Sequence, residues 1–172
     1  MSEHQHFMRA ALAEAEAALA DGEFPVGCVL VSGGRIIGRG RRRNSAGTTL
    51  TELDHAEIVA LRSLAAAGTE AAPGTITAYA TMEPCLMCFA TLLLNGVTTI
   101  VYAYEDAMGG GTGVALDRLP LLYREMQPRV SGGVLRAESL ALFQRFFRVP
   151  ANTYWQDSYL ARYTLAQDIA PA

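Results

Sequence analysis

The sequence contains no lysine, and all 14 of its basic side chains are arginine. Acidic side chains outnumber them at 17 and give a formal net charge of −3. This balance counts against a nucleic-acid backbone as the main partner, because proteins that bind one usually carry a basic surface, and a local basic patch is the alternative. The chain also contains no apolar run of the roughly 18 residues that a membrane span requires. Its first residues lack the basic-then-apolar order of a signal peptide. These absences predict a cytoplasmic protein with no membrane partner.

Cysteine is scarce as well, with three residues in a chain of 172. Two of them, Cys85 and Cys88, follow Pro84 in the pattern Pro-Cys-x-x-Cys. Histidine is equally scarce, and His55 stands two residues before Glu57. One imidazole and two thiolates can bind zinc tetrahedrally and leave the fourth position to water, whereas a closed structural site needs a fourth protein ligand. The pattern therefore predicts one catalytic zinc per chain, held by His55, Cys85 and Cys88.

The remaining cysteine and histidines offer no obvious fourth ligand. Cys28 lies in an apolar run and is expected in the core, while His4 and His6 lie in an N-terminal segment that is expected to fray. Each half of the pattern also has an ordinary explanation, because Cys-x-x-Cys occurs in redox pairs and zinc knuckles and a histidine before a helix often acts as a cap. The two halves together, with Glu57 in place, favour the catalytic site.

Both halves of the site are predicted at helix N-termini, where the helix dipole favours negative charge and helps to keep Cys85 and Cys88 as thiolates. In a first helical turn, His55 and Glu57 can both reach the space beyond the end of the helix. Zinc lowers the pKa of bound water to roughly 7. We therefore predict that Glu57, which is not a ligand, takes the proton of that water and passes it to a leaving amine.

Hydrophobic periodicity predicts alternating helices and strands within one domain of 172 residues. Helices are predicted at 3–20, 56–67, 84–95, 116–123, 138–147 and 154–166, and strands at 24–31, 35–39, 75–81, 98–104 and 130–134. The segments 41–53 and 108–113 are predicted as loops. This order favours a mixed sheet between layers of helices.

His-x-Glu followed by Pro-Cys-x-x-Cys is the signature of zinc-dependent base and nucleoside deaminases. The chain resembles that superfamily over most of its length. The likeness includes the signature itself, within 55–58 and 83–88, and extends to the segments 22–27 and 104–107 and to residue 44. The likeness is greatest to bacterial tRNA adenosine deaminases and extends to 143–148, which resembles their late helix. The resemblance implies an α/β fold, namely a three-layer α/β/α sandwich with a five-stranded mixed sheet. It also implies a homodimer, as does the segment 86–94 of the predicted helix 84–95, which is apolar nearly all round.

The resemblance also implies which residues surround the substrate. Asn44 is expected to hold a carbonyl or ring nitrogen of the base, because an amide both donates and accepts hydrogen bonds. Asp106 matches an acidic position beside the substrate. Taken alone, both residues are typical of turns. The further expected contacts are Ala56 and Glu83 from the signature, and the apolar Phe24, Val26 and Met82, for which core packing is an equal explanation.

The C-terminal tail departs from the tRNA enzymes, which carry a basic helix there. After Arg148 the sequence is aromatic and nearly neutral. It resembles the C-terminal segment of fungal-type cytosine deaminases, where an aromatic residue and an acid close over a free base. On that resemblance, Tyr154 or Trp155 acts as a lid and Asp157 contacts the base. A purely structural tail is the alternative.

Low basicity and the aromatic tail together favour a small substrate, a free base or a nucleoside whose exocyclic amine is replaced by oxygen. The alternative is a tRNA adenosine, which would become inosine. A second alternative is a non-catalytic, zinc-stabilised partner subunit, although such a subunit would be expected to lack Glu57. The arginines at 39 and 41–43 are predicted as a solvated loop tip, with contact to a phosphate or an RNA backbone as the alternative.

Overall fold

The computed structural model describes residues 1–46, 51–69, 71 and 74–168, so 47–50 of the predicted loop and the chain end lie outside the described residues. Its centre is a five-stranded sheet in the order β2-β1-β3-β4-β5. The strands are β1 (Gly27–Ser32), β2 (Arg35–Arg41), β3 (Ile76–Met82), β4 (Val97–Tyr104) and β5 (Arg129–Ser131). β1 pairs antiparallel with β2 and β3, whereas β4 runs parallel to β3 and β5. The sheet is therefore mixed, as the sequence predicts.

Helices cover both faces of this sheet. They are α1 (Glu3–Ala20), α2 (Ala56–Ala67), α3 (Leu86–Leu94), α4 (Leu121–Arg124), α5 (Arg136–Phe147) and α6 (Tyr159–Leu165). The first begins with a capping box in which Ser2 and Gln5 satisfy each other's backbone N–H groups. The second ends at Gly68, whose φ of 60° lies in the left-handed region that glycine adopts without strain. No helix in the described ranges is both long and apolar enough to cross a membrane.

The side chains of β1 point alternately into two hydrophobic clusters, one on each face of the sheet. Cys28 and Leu30 face the cluster that α2 and α3 cover, whereas Val29 and Val31 face the cluster under α1. Both sets are almost fully buried. Because side chains in a strand alternate between faces, one strand serves both layers and the result is an α/β/α sandwich. α5 contributes to both clusters, since its Leu142 joins the α1 side while its phenylalanines join the other.

The structure differs from the sequence prediction where a local signal cuts an element short. Pro120 divides the predicted helix 116–123 into a 3₁₀ turn at Leu116–Arg118 and the short α4. β1 begins at Gly27 and not at 24, so Phe24 and Val26 precede the strand. The last helix begins at Tyr159 and not at 154, because Trp155 has a φ of 57°, which a right-handed helix excludes.

Gly40 fixes how closely α2 approaches β2. A Cβ at this position would lie 2.1 Å from the carbonyl oxygen of Ala56 and 2.4 Å from the amide nitrogen of Ala60. Both are backbone atoms of α2, which cannot rotate away as a side chain can. The first turn of α2, which carries the signature residues, is therefore seated directly on β2.

We expect Gly40→Ala to lower the free energy of unfolding by about 3 kcal/mol or more, at the upper end of overpacking effects, because the helix must shift to admit the methyl group. Urea unfolding measures this. Gly113→Ala is the matched control, since its Cβ would meet nothing within 4 Å. Equal stability of the two variants would contradict the proposed close approach.

Candidate active site

The N-termini of α2 and α3 converge at one end of the sheet. His55 and Cys85 occupy the N-cap positions of these helices, with extended backbone, and neither side chain caps its own helix. Both side chains are therefore free to point beyond the helix ends. Cys88 lies in the first turn of α3, three residues after Cys85, and so shares its face. The convergence brings together three side chains that are far apart in sequence.

The three side chains form a compact set of metal ligands. Nδ1 of His55 lies 3.6 Å from Sγ of Cys85 and 3.4 Å from Sγ of Cys88. The three ligand atoms all lie within 4.8 Å of one another. Such separations suit a tetrahedral zinc, whose bonds to nitrogen and sulfur are about 2.0 and 2.3 Å. The donor set therefore fits zinc, in agreement with the prediction.

The thiols of Cys85 and Cys88 differ in their pKa. A hydrogen bond from Cys88 lowers the pKa of Cys85 to about 4, with help from His55 and against the effect of burial. The hydrogen bond to Cys85 and burial raise the pKa of Cys88. The shared hydrogen bond thus favours the thiolate form at Cys85 and the thiol form at Cys88. Binding of zinc needs the release of the remaining thiol proton.

His55 is oriented by a residue that the sequence analysis missed. Its outer ring nitrogen, Nε2, lies 3.1 Å from Oε2 of Glu52, while Nδ1 faces the thiols. Burial lowers the pKa of His55, but the hydrogen bonds to Cys85 and Glu52 outweigh it and leave the pKa raised. Metal-binding histidines usually donate their second N–H to such a carboxylate, which fixes the ring orientation. Glu52 stands three residues before His55, and an acidic residue so close to a predicted metal ligand was the signal from which this contact could have been predicted.

Glu52→Gln should weaken zinc binding by about 10- to 100-fold, because the amide is a weaker partner for the histidine N–H than the carboxylate. Competition with a chelator of known zinc affinity measures the change. Glu16→Gln removes an exposed acid on α1 and is the control. Unaltered zinc affinity in Glu52→Gln would contradict the orienting role.

Glu57 lies in the first turn of α2 and is 3% exposed. Burial raises its pKa, and its carboxyl group is hydrogen bonded to Cys88. The carboxyl group therefore lies beside the metal ligands. A carboxyl group in this position can serve as general base and general acid, because it lies within hydrogen-bond reach of the ligand set.

A cavity of about 150 Å³ opens beside the ligand set. An enclosed apolar cavity of this volume holds a benzene ring, so this open cavity has room for an aromatic ring of a base. The described residues of its wall are Phe24, Val26, Arg42, Glu52, His55, Ala56, Glu57, Met82, Glu83, Cys85, Asp106, Met108, Gly109, Tyr154, Trp155 and Leu160. Most of the residues expected to surround the substrate are in this set.

Two residues expected to contact the base lie elsewhere. Asn44 has a φ of 57° and its side-chain amide donates to Asp54 at 2.6 Å. Its backbone N–H donates to Glu23 at 3.0 Å, so both groups are engaged in the loop. Asp157 is exposed. Neither belongs to the described cavity wall, so the structure does not support direct contact of these residues with a base in the cavity.

Asp106 and Glu83 line the cavity but also hold the loop beside it. Oδ1 of Asp106 accepts hydrogen bonds from the backbone of Met108 at 2.9 Å and of Gly109 at 2.8 Å, which is the turn role considered above. Glu83 accepts from the backbone N–H groups of Asp106 and Thr112, both at 3.3 Å. Burial raises the pKa of Asp106.

The arginines at 39 and 41–43, which were predicted as a solvated loop tip, differ in their exposure to solvent. Arg39 and Arg41 are exposed or half-exposed and pair with Glu14 and Asp21 of the α1 region. Arg43 is exposed. Arg42, however, is 2% exposed and belongs to the cavity wall, which the sequence analysis did not foresee. The backbone causes this difference, because the N–H of Arg42 donates to the carbonyl of Val26 at 2.9 Å and draws the residue inward.

Comparisons with known proteins agree with this site. Residues 1–104 match the family model of the cytidine and deoxycytidylate deaminase zinc-binding region. The tRNA-specific adenosine deaminase of Agrobacterium fabrum is 36% identical over 151 residues, which are 86% of this chain and 96% of that protein. The Bacillus subtilis enzyme of the same name is 34% identical and covers 86% of this chain and 91% of its own length.

Comparison with solved structures also finds a protein of similar fold. A chain from a study of A-to-I editing by tRNA:A34 deaminases at the wobble position of transfer RNA superposes with a TM-score of 0.68. It is 34% identical, and the match covers 80% of this chain and 98% of that chain.

Proposed function

The chain belongs to the zinc-binding family of cytidine and deoxycytidylate deaminases, and on that basis we propose that it converts an adenosine of tRNA to inosine with release of ammonia. The observation that carries this substrate is the likeness to the Agrobacterium enzyme, which spans 96% of that protein. This likeness outweighs the acidic net charge, from which the sequence analysis favoured a small substrate.

The ligand set and Glu57 supply the chemistry of hydrolysis. Zinc bound by His55, Cys85 and Cys88 would provide a water molecule of lowered pKa. Glu57 would accept one proton from that water and return it to the nitrogen of the exocyclic amine. A C–O bond forms, the C–N bond breaks and ammonia leaves. The presence of Glu57 supports an active enzyme over a non-catalytic zinc-stabilised subunit.

A free base or nucleoside is the second candidate, and one structural observation favours it. The hydroxyl of Tyr154 donates to Oε2 of Glu52 at 2.9 Å, which ties the C-terminal segment to the cavity wall. Trp155 lies beside it, with its ring 5.7 Å from that of Tyr154. Both aromatic residues belong to the cavity wall, where a lid over a small molecule would have to lie.

A substrate panel separates the two candidates. Zinc-loaded protein is incubated with unmodified tRNA, with adenosine and cytidine, and with adenine, cytosine and guanine, and products are identified by mass spectrometry. We expect inosine in tRNA, with a rate that falls steeply as salt rises because phosphate contacts release counterions. Turnover of free bases or nucleosides with tRNA untouched would instead establish the second candidate.

We further propose that the protein is cytoplasmic and forms a homodimer. None of the three cysteines forms a disulfide, which is consistent with the reducing cytoplasm. On α3, Leu86 and Leu94 are 59% and 50% exposed, and this supports the homodimer predicted from the apolar helix. Light scattering of the purified chain measures the oligomeric state directly.

A further inference from the structure

The carboxylate of Glu52, which orients the zinc ligand His55, is itself held by two other side chains. The hydroxyl of Tyr154 contacts both of its oxygens, Oε1 at 3.1 Å and Oε2 at 2.9 Å. Nη2 of Arg42 donates to Oε2 at 3.1 Å, and Nε2 of His55 lies 3.1 Å from the same oxygen. The position of the carboxylate, and through it that of the histidine ring, therefore depends on these two donors.

The local backbone alone does not fix the side chain of Glu52. The residue lies in the turn segment before α2, outside any helix or strand, and its side chain is 59% exposed. An exposed carboxylate loses conformational freedom when it is held in one position, and water screens its charge, so a single contact holds it weakly. A carboxylate that other donors already hold in place loses less freedom when His55 donates to it.

The segment between α5 and α6 presents Tyr154 in a supported position. The side-chain amides of Asn152 and Gln156, on either side of it, donate to backbone carbonyls in the last turn of α5 at 3.1 and 3.2 Å. The ring of Tyr154 packs against that of Phe24, with centroids 5.2 Å apart. The hydroxyl group is therefore brought to Glu52 by a segment that is attached to the core, although the two residues are 102 positions apart in the sequence.

We propose that Tyr154 is a positioning residue of the metal site, whose hydroxyl holds Glu52 where it accepts the N–H of His55 and thereby strengthens the binding of zinc. The proposal rests on the zinc site of the function proposed above. Tyr154 lies outside the residues 1–104 that match the family model. The C-terminal segment is thus part of the metal centre as well as of the cavity wall.

Zinc affinity tests the proposal independently of turnover. Tyr154→Phe removes one hydroxyl and keeps the ring, and competition with a chelator of known zinc affinity measures the result. We expect zinc to bind about 3- to 10-fold more weakly, which is the factor that one hydrogen bond of ordinary net strength contributes. Tyr163→Phe is the matched control, because its hydroxyl donates to a different carboxylate, that of Glu105, at 2.8 Å. It should bind zinc as tightly as the parent protein.

A double-mutant cycle separates action through Glu52 from a general effect on the fold. Glu52→Ala removes both carboxylate oxygens, so the hydroxyl of Tyr154 has no acceptor there to hold. In protein that carries Glu52→Ala, the further change Tyr154→Phe should therefore alter zinc affinity by about 2-fold or less, because the two residues act as one unit. Urea unfolding of the zinc-free variants verifies that each of them is folded.

Three results would overturn the proposal. They are a zinc affinity of Tyr154→Phe equal to that of the parent, an equal loss in Tyr163→Phe, and a loss from Tyr154→Phe that is the same with and without the side chain of Glu52. The substrate panel is judged separately. Zinc affinity that depends on Tyr154 without deamination of any substrate removes the proposed function and keeps this proposal, whereas deamination with zinc affinity independent of Tyr154 does the reverse.

Discussion

Glu57→Gln is expected to reduce turnover by about 10²- to 10⁴-fold or more while zinc remains bound. The amide has nearly the shape of the carboxylate but cannot accept the proton of water or deliver it to the leaving amine. Because Glu57 would act in both steps, the loss should reach or exceed the upper end of this range. The measurements are initial rates of ammonia release and zinc per chain.

Glu125→Gln, at an exposed position after α4, is the control and should retain full activity. The stability of Glu57→Gln should equal or exceed that of the parent, because burial of Glu57 disfavours the charged carboxylate. Turnover within a few-fold of the parent would remove Glu57 from the mechanism.

Cys88→Ala is expected to lose zinc, activity and a large part of the stability. A metal that binds the folded chain stabilises it by about 4 kcal/mol when free zinc is 1,000 times its dissociation constant. Removal of a ligand forfeits most of that contribution, because binding of zinc and folding are coupled. Elemental analysis and urea unfolding with and without added zinc measure the effect.

Cys28→Ala is the matched control, because both cysteines are fully buried. It should keep one zinc per chain and lose about 1 kcal/mol, the usual cost of a small core substitution. Its stability should still depend on zinc, whereas that of Cys88→Ala should not. Retention of zinc by Cys88→Ala at the level of the parent would contradict the assigned ligand set.

The zinc ligands could be predicted from the sequence because each half of the site is encoded locally. His55 and Cys85 directly precede helices, so the start of α2 and of α3 sets the direction of each side chain. Spacing within one turn then places Cys88 beside Cys85. The compact apolar run before Gly33 likewise predicts β1, because helices cover both faces of the sheet and the side chains of this strand are buried on both.

The wall of the cavity could not be predicted in the same way. Arg42 stands in a run of arginines that looks solvated, and its burial depends on a backbone hydrogen bond to Val26, which lies 16 residues earlier in the sequence. Asn44 lies outside the described cavity wall, with a left-handed backbone and a side-chain hydrogen bond to Asp54. Such tertiary contacts override the preference of a residue type. The break at Pro120, by contrast, was visible in the sequence as a proline within a predicted helix.

The C-terminal segment shows the same limit. Tyr154 and Trp155 do reach the cavity wall, but as part of an irregular segment and not as the start of a helix. The helix itself begins after Ser158, whose hydroxyl accepts a hydrogen bond from the N–H of Ala161 at 3.1 Å. A serine cap three residues before that amide was a readable signal of the true start.

Ammonia release from zinc-loaded protein tests the central claim most directly. The protein is incubated with tRNA, nucleosides and free bases, and ammonia is compared with the oxygen-containing product. We predict one ammonia for each inosine formed in tRNA, loss of both when zinc is removed with a chelator, and recovery when zinc is restored. Absence of ammonia from every member of the panel, with one zinc bound per chain, would contradict the assignment of this chain as a deaminase.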